Sequence, residues 1–197
     1  MEPTGRSYAC DGCRPMEFTF EPLEIPDVIL IRHDIVRDQR GFFLESFREE
    51  PFLKKGIPRF VQDNHSRSAG KVLRGLHYQI KPAAMGKLLR CLRGRIFDVA
   101  VDIRKGSPTY SRWVGVELSD DNCRMVYIPQ GFAHGYCALT DECEVFYKTT
   151  HYYSPQHDRG IRWNDPEVNV QWPVDDPVLS PKDAAAPLLK DADNNFE

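Results

Sequence analysis

The densest run of polar and glycine residues is Gln62-Asp63-Asn64-His65-Ser66, followed closely by Arg74-Gly75-Leu76-His77-Tyr78-Gln79. An unperturbed imidazole has a pKa of about 6.5, so histidine is the side chain best suited to accept a proton near neutral pH. His77 lies in a strand-like run between an arginine and a glutamine, an uncommon setting for a core residue, although plain packing is its simpler reading. Strict alternation puts Arg74 and His77 on opposite faces of that strand; a bulge at Gly75 would turn both inward. Lys87, in Gly86-Lys87-Leu88-Leu89-Arg90-Cys91, shares parity with Leu89 and Cys91. A lysine so placed points into the sheet and must find an anion or lose its charge, where a surface lysine would be ordinary.

A second histidine, His134, follows the turn Pro129-Gln130-Gly131. Two distant histidines raise the question of a metal. The usual metal-holding set on a β-barrel needs an H-x-H pair with a downstream Glu and a later His, and His77 is followed by Tyr78 and Gln79. No metal is expected. Tyr147 lies on an alternating run, and Pro166 biases Asp165 of Trp163-Asn164-Asp165-Pro166 toward extended backbone. A carboxylate can orient an imidazole and stabilise its protonated form; the same four residues also read as a simple turn.

The elements that must carry these groups are strands. Phe97, Val99, Val101 and Ile103 alternate with Asp98, Ala100 and Asp102, and Val114, Val116 and Leu118 repeat the pattern. Cys143, Val145, Tyr147 and Thr149 oppose Glu144, Phe146 and Lys148. Arg93-Gly94, Lys105 to Pro108, Ser119 to Asn122 and Pro129 to Gly131 supply the turns between them. Val28 to Ile31 reads as a further strand, Ser46 to Lys55 as a short helix interrupted by Pro51, and Ala184 to Leu189 as a C-terminal helix on the barrel. The fold class is mainly β, a sandwich or barrel. Residues 1–15 read as a flexible leader, 16–173 as the main domain and 174–197 as a C-terminal segment.

The formal net charge of -3 gives no electrostatic footprint for nucleic acid. No stretch approaches the roughly 20 apolar residues of a membrane span, and residues 1–17 lack the apolar core of a signal peptide, so the expected compartment is the cytoplasm. Cys10 and Cys13 form a C-x-x-C without the second close pair of a zinc ribbon, and the expectation is an idle tail. There is neither a Walker loop, nor a dinucleotide fingerprint, nor a G-x-S-x-G.

Several segments in fixed order go further: RGFFLE at 40–45, QDNHS at 62–66, VLRGLHYQ at 72–79, GKLLRC at 86–91 and FDVAVDIRKGSPTY at 97–110. They continue with IPQGFAHG at 128–135, YKTTHYYSP at 147–155, WNDP at 163–166 and KDAAAPLL at 182–189. From about Phe18 to Leu189 the chain resembles the dTDP-4-dehydrorhamnose 3,5-epimerase family. Only Met1 to Arg14 falls outside the usual family start.

The resemblance implies a cupin-type jelly roll and a homodimer in which N-terminal strands reach the partner. It implies dTDP-4-dehydro-6-deoxy-glucose as substrate, with no cofactor, metal, nucleic acid or membrane. His77 would be the base, Asp165 its orienting carboxylate, and Tyr147 the acid on the opposite face of the sugar. Lys87 and Arg74 would polarise the keto oxygen or hold substrate. Arg40, Phe43, Glu45, Gln62 and Asn64 resemble the nucleotide-binding set, and His134 would support the pocket.

These residue types suit proton transfer beside a ketone. A keto group at carbon 4 acidifies carbons 3 and 5 together, because either carbanion delocalises onto one oxygen. One base and one cationic oxyanion stabiliser can therefore serve both centres. A phenol, with a pKa of about 10, keeps its proton until a carbanion takes it. A single-site epimerase, a ketoisomerase on the same scaffold, a silent sugar-binding cupin and a metal-dependent oxygenase are the rival readings.

Overall fold

A computed structural model describes residues 16–197, so the expectations for the leader and its C-x-x-C lie outside the described residues. Among the described residues, thirteen strands and two short α-helices follow one another. They are β1 (Phe18–Pro22), β2 (Ile29–His33), β3 (Ile35–Asp38), β4 (Gly41–Leu44), α1 (Glu49–Lys54), β5 (Gln62–Ala69), β6 (Leu73–Gln79) and β7 (Lys87–Arg93). Then come β8 (Arg95–Asp102), β9 (Trp113–Ser119), β10 (Met125–Ile128), β11 (Phe132–Ala138), β12 (Glu142–Thr149), β13 (Asp158–Gly160) and α2 (Pro181–Ala184).

Two antiparallel sheets form the body. The six-stranded sheet runs β1-β2-β10-β7-β12-β5 and the five-stranded sheet β13-β6-β11-β8-β9. This is the cupin-type jelly roll. Between the sheets lie Leu89, Cys91, Ile96, Ala100, Val126, Ile128, Phe132 and Val145, all closed to solvent. Strand β8 is buried on both faces: Val99 and Val101, with Ile103 just past its end, pack against Ile161, Val168, Leu189 and Phe196 from the chain after β13. Each such aliphatic side chain contributes roughly 1.5–3 kcal/mol of burial. The face of β8 that carries Asp98 is therefore turned between the sheets.

The turn chemistry falls where the sequence puts it. Gly94, at φ +73°, joins β7 to β8, and Pro129 to Gly131 joins β10 to β11. The expected first helix is α1, and Pro51 does not interrupt it. It occupies the first turn, where the backbone N–H has no intrahelical partner to lose. Phe52 of α1 packs against Phe18, Phe20, Phe47 and Phe60, with centroids 5.0 to 6.2 Å apart, and covers part of the outer face of the six-stranded sheet.

The expected C-terminal helix is displaced. Helix α2 covers Pro181–Ala184, and of Ala184 to Leu189 only its last residue, Ala184, is α-helical; a single 3-10 turn follows at Leu189–Asp191. Ser180 caps α2 by accepting the Asp183 N–H, and Pro187 cannot continue a helix. Strands β3 and β4 form a separate hairpin whose Val36, Phe42 and Phe43 are exposed.

Candidate active site

Position His77 first. In the pairing of β6 with β11, His77 faces His134 and Arg74 faces Tyr136, so Gly75 and Leu76 together oppose the single residue Gly135. That is the bulge expected at Gly75, and it puts Arg74 and His77 on one face. Gly75 has φ +137°, and a Cβ there would lie 2.5 Å from the Gly135 Cα. Only glycine fits.

His77, Lys87, Tyr147, Gln62 and Asn64 line one cavity of about 230 Å³, together with Gln79, Met85, Thr149, Tyr153, Asp158 and Lys182. His77 comes from the five-stranded sheet; Tyr147, Lys87, Gln62 and Asn64 come from the six-stranded sheet. In the register of β12, Tyr147 pairs with Asn64 and Leu89, and Thr149 with Gln62 and Lys87, so the phenol and the ammonium stand one pair apart on the same wall. The imidazole and the phenol thus approach the space from opposite walls.

The partner of His77 differs from the expectation. His77 Nε2 lies 2.5 Å from Asp183 Oδ1, and Asp183 is almost wholly buried. Burial alone would raise the carboxyl pKa, but hydrogen bonds from His77 and Ser180 bring it below the ordinary value. Asp165 does not meet His77. Its Oδ1 accepts the N–H groups of Glu167 and Val168 at 2.8 and 3.0 Å, and its Oδ2 accepts that of Leu189 at 2.7 Å. With both oxygens used by backbone, Asp165 fastens the C-terminal segment that carries Asp183.

Lys87 is aimed at an imidazole. Its Nζ is 3.4 Å from His134 Nδ1, and His134 Nε2 is 2.9 Å from Asp98 Oδ2. Burial lowers the Lys87 pKa to about 8, against the opposing pull of Asp98 and Asp158. Tyr147 is shifted the other way: burial, with Tyr136 and Asp158 adding, outweighs Arg74 and holds the phenol more firmly protonated. Both histidines thus direct Nε2 at a carboxylate, and among the described residues no group of three or more His, Cys, Asp or Glu side chains is placed to hold a metal ion.

Arg74 is not among the residues that line the cavity; it donates to Ser68 Oγ at 3.0 Å and to the Arg67 carbonyl at 3.2 Å. Arg40, Phe43 and Glu45 are not brought to it. Arg40 tips the β3–β4 hairpin and pairs with Asp38, Phe43 is 68% exposed, and Glu45 pairs with Arg48 at 3.0 Å. The structure adds Asp183, Asp98, Asp158, Lys182 and Tyr153. Asp158 accepts the Tyr153 hydroxyl at 2.9 Å and also pairs with Lys182. The signal for Asp183 was present in Ser180-Pro181-Lys182-Asp183, but that spacing is already explained by capping.

A jelly roll holding an imidazole–carboxylate pair, a phenol and a buried ammonium around one sugar-sized space has the equipment of a proton-transferring sugar epimerase. The family model described as dTDP-4-dehydrorhamnose 3,5-epimerase matches residues 22–191, and the chain belongs to that family. A relative from Shigella flexneri, described as a dTDP-4-dehydrorhamnose 3,5-epimerase, is 54% identical over 86% of this chain and 95% of its own. A dTDP-4-dehydrorhamnose 3-epimerase from Streptomyces niveus is 40% identical over 87% of this chain and 84% of its own. Among solved structures, the dTDP-6-deoxy-D-glucose-3,5-epimerase of Legionella pneumophila, in complex with dTDP-4-keto-L-rhamnose, superimposes with a TM-score of 0.84 at 47% identity. That match covers 88% of this chain and 94% of the other.

Proposed function

We propose that the chain inverts carbons 3 and 5 of dTDP-4-dehydro-6-deoxy-D-glucose to give dTDP-4-dehydro-L-rhamnose, as an isomerase without a redox cofactor or metal. The observation that carries this is the lining of one cavity by His77 and Tyr147 from opposing sheets, with Lys87 on the wall beside the phenol. His77, backed by Asp183, takes the proton alpha to the ketone. The Lys87 ammonium balances the charge that grows on the keto oxygen, and Tyr147 delivers a proton to the other face of the planar enolate. The ketone itself is the electron sink, so the chemistry calls for no other.

Gln62 and Asn64 hold the nucleotide sugar from the cavity lining, with Lys182 supplying a further cation there, and Arg74 adds a guanidinium from the β6 face that carries His77. The working form is a homodimer. The exposed Val36, Phe42 and Phe43 give its hairpin an apolar surface, and Arg40, Phe43 and Glu45 join a nucleotide site only across a subunit boundary. The unpaired Cys91, Cys123, Cys137 and Cys143 suit a reducing compartment, the cytoplasm, and among the described residues no helix is long and apolar enough to cross a membrane.

Incubation with substrate in deuterated water tests the reaction. Label at both carbon 3 and carbon 5 of the product is expected, and His77→Ala should abolish it while thymidine diphosphate still binds. Label at carbon 3 alone would replace the double epimerase with a single-site enzyme like the Streptomyces niveus relative. Full exchange by His77→Ala would remove the histidine from the mechanism.

A further inference from the structure

Asp98 is a carboxylate with 1% of its surface exposed, set between the sheets, where an isolated charge is costly. It lies 2.9 Å from Nε2 of His134, whose imidazole is itself buried. Because a carboxylate accepts and does not donate, His134 Nε2 must carry the hydrogen. Its Nδ1 is then a lone pair, and that lone pair faces Lys87 Nζ at 3.4 Å. The chain Asp98–His134–Lys87 crosses from the five-stranded sheet to the six-stranded one and ends in the cavity.

We infer that Asp98 is a positioning residue for the reaction: through His134 it fixes one tautomer and presents a neutral acceptor that keeps the Lys87 ammonium charged and aimed at the substrate's keto oxygen. The inference rests on the epimerase reading of the same cavity. A lysine in this setting has several charged and titratable neighbours to answer to. Asp98 on β8 and Asp158 on β13 favour its charge; Lys182 on α2 opposes it; His134 on β11, His77 on β6 and Tyr147 on β12 complete its surroundings. Burial holds His134 below its ordinary pKa, with the Lys87 charge adding and Asp98 opposing, which keeps the imidazole an acceptor.

Asp98→Asn separates charge from hydrogen bonding, since the amide oxygen can still accept the His134 N–H. In wild type the rate of sugar-proton exchange should fall above about pH 8, where Lys87 loses its charge. In Asp98→Asn that alkaline limb should move down by about one pH unit, the low end of what a neighbouring opposite charge contributes, with thymidine diphosphate affinity unchanged. A limb that stays at the wild-type position, whatever the fall in rate, would overturn the inference.

Should the variant fail to fold, nitrogen NMR of wild-type protein decides. The His134 signal, assigned by its loss in His134→Asn, should report a neutral ring protonated at Nε2 from pH 6 to 9. A proton on Nδ1 in that range contradicts the proposal. If wild type exchanges no sugar proton at all, the epimerase reading fails and the role of Asp98 in the reaction with it, whereas a proton on Nδ1 in an active wild type overturns the Asp98 inference alone.

Discussion

Asp165 and Asp183 are both aspartates almost closed to solvent, yet their oxygens are spent differently. Asp165 gives everything to backbone N–H groups, whereas Asp183 keeps one oxygen for the His77 imidazole. Their amputations should therefore look unlike. Asp183→Asn is expected to lower kcat by roughly 100-fold or more, the scale of a mis-set general base, with a melting temperature close to wild type. Asp165→Ala leaves three buried N–H groups without their acceptor and should cost about 3 kcal/mol or more in denaturant unfolding. The reverse pattern, an inactive but stable Asp165→Ala, would mean that the two carboxylates have been assigned the wrong way round. His77, Lys87 and Tyr147 were singled out by residue type, by the strand parity of Lys87 and by the family resemblance, and all three line one cavity. Parity alone would have turned His77 away from Arg74. The identity of the carboxylate behind His77 was not legible, because Asp183 is 106 residues away and its local spacing reads fully as a helix cap.

Local periodicity and turn chemistry made most of the strands readable: β8, β9 and β12 follow their alternation, and Gly94 and Gly131 take the left-handed turns between neighbours. The order of strands within a sheet was not readable. β2 lies beside β10, and β12 between β7 and β5, contacts that depend on the closing of the whole roll. The C-terminal helix was misplaced for a related reason: apolar residues Ala184 to Leu189 look helical, but the Ser180 cap starts the helix at Pro181 and Pro187 cannot continue it. The bulge in β6 is the element on which the site turns. In Gly75→Ala the new methyl would meet the Gly135 backbone at 2.5 Å, so the strands must separate or the bulge must flatten. Either outcome displaces His77, and about 100-fold loss of kcat is expected from a shift near 1 Å. A Gly75→Ala enzyme with full activity and unchanged thermal stability would show that the bulge does not set the base.

At the scale of the molecule, the two sheets act as opposite jaws. One carries His77 and the buried Asp98–His134 pair; the other carries the Tyr147 phenol and the Lys87 ammonium, and on the proposed mechanism a ring bound between them meets one proton acceptor and one proton donor on opposite faces. Inversion is a consequence of that division, whereas simple exchange needs only the base. The most direct test is Tyr147→Phe with substrate in deuterated water, reading label uptake and configuration at the reacting carbons by NMR. Persistent deuterium uptake with retained configuration, and inversion slowed by roughly 100-fold or more, is the predicted result. Inversion at the wild-type rate without the phenol, or loss of exchange together with inversion, would contradict a base and an acid working from opposite sheets.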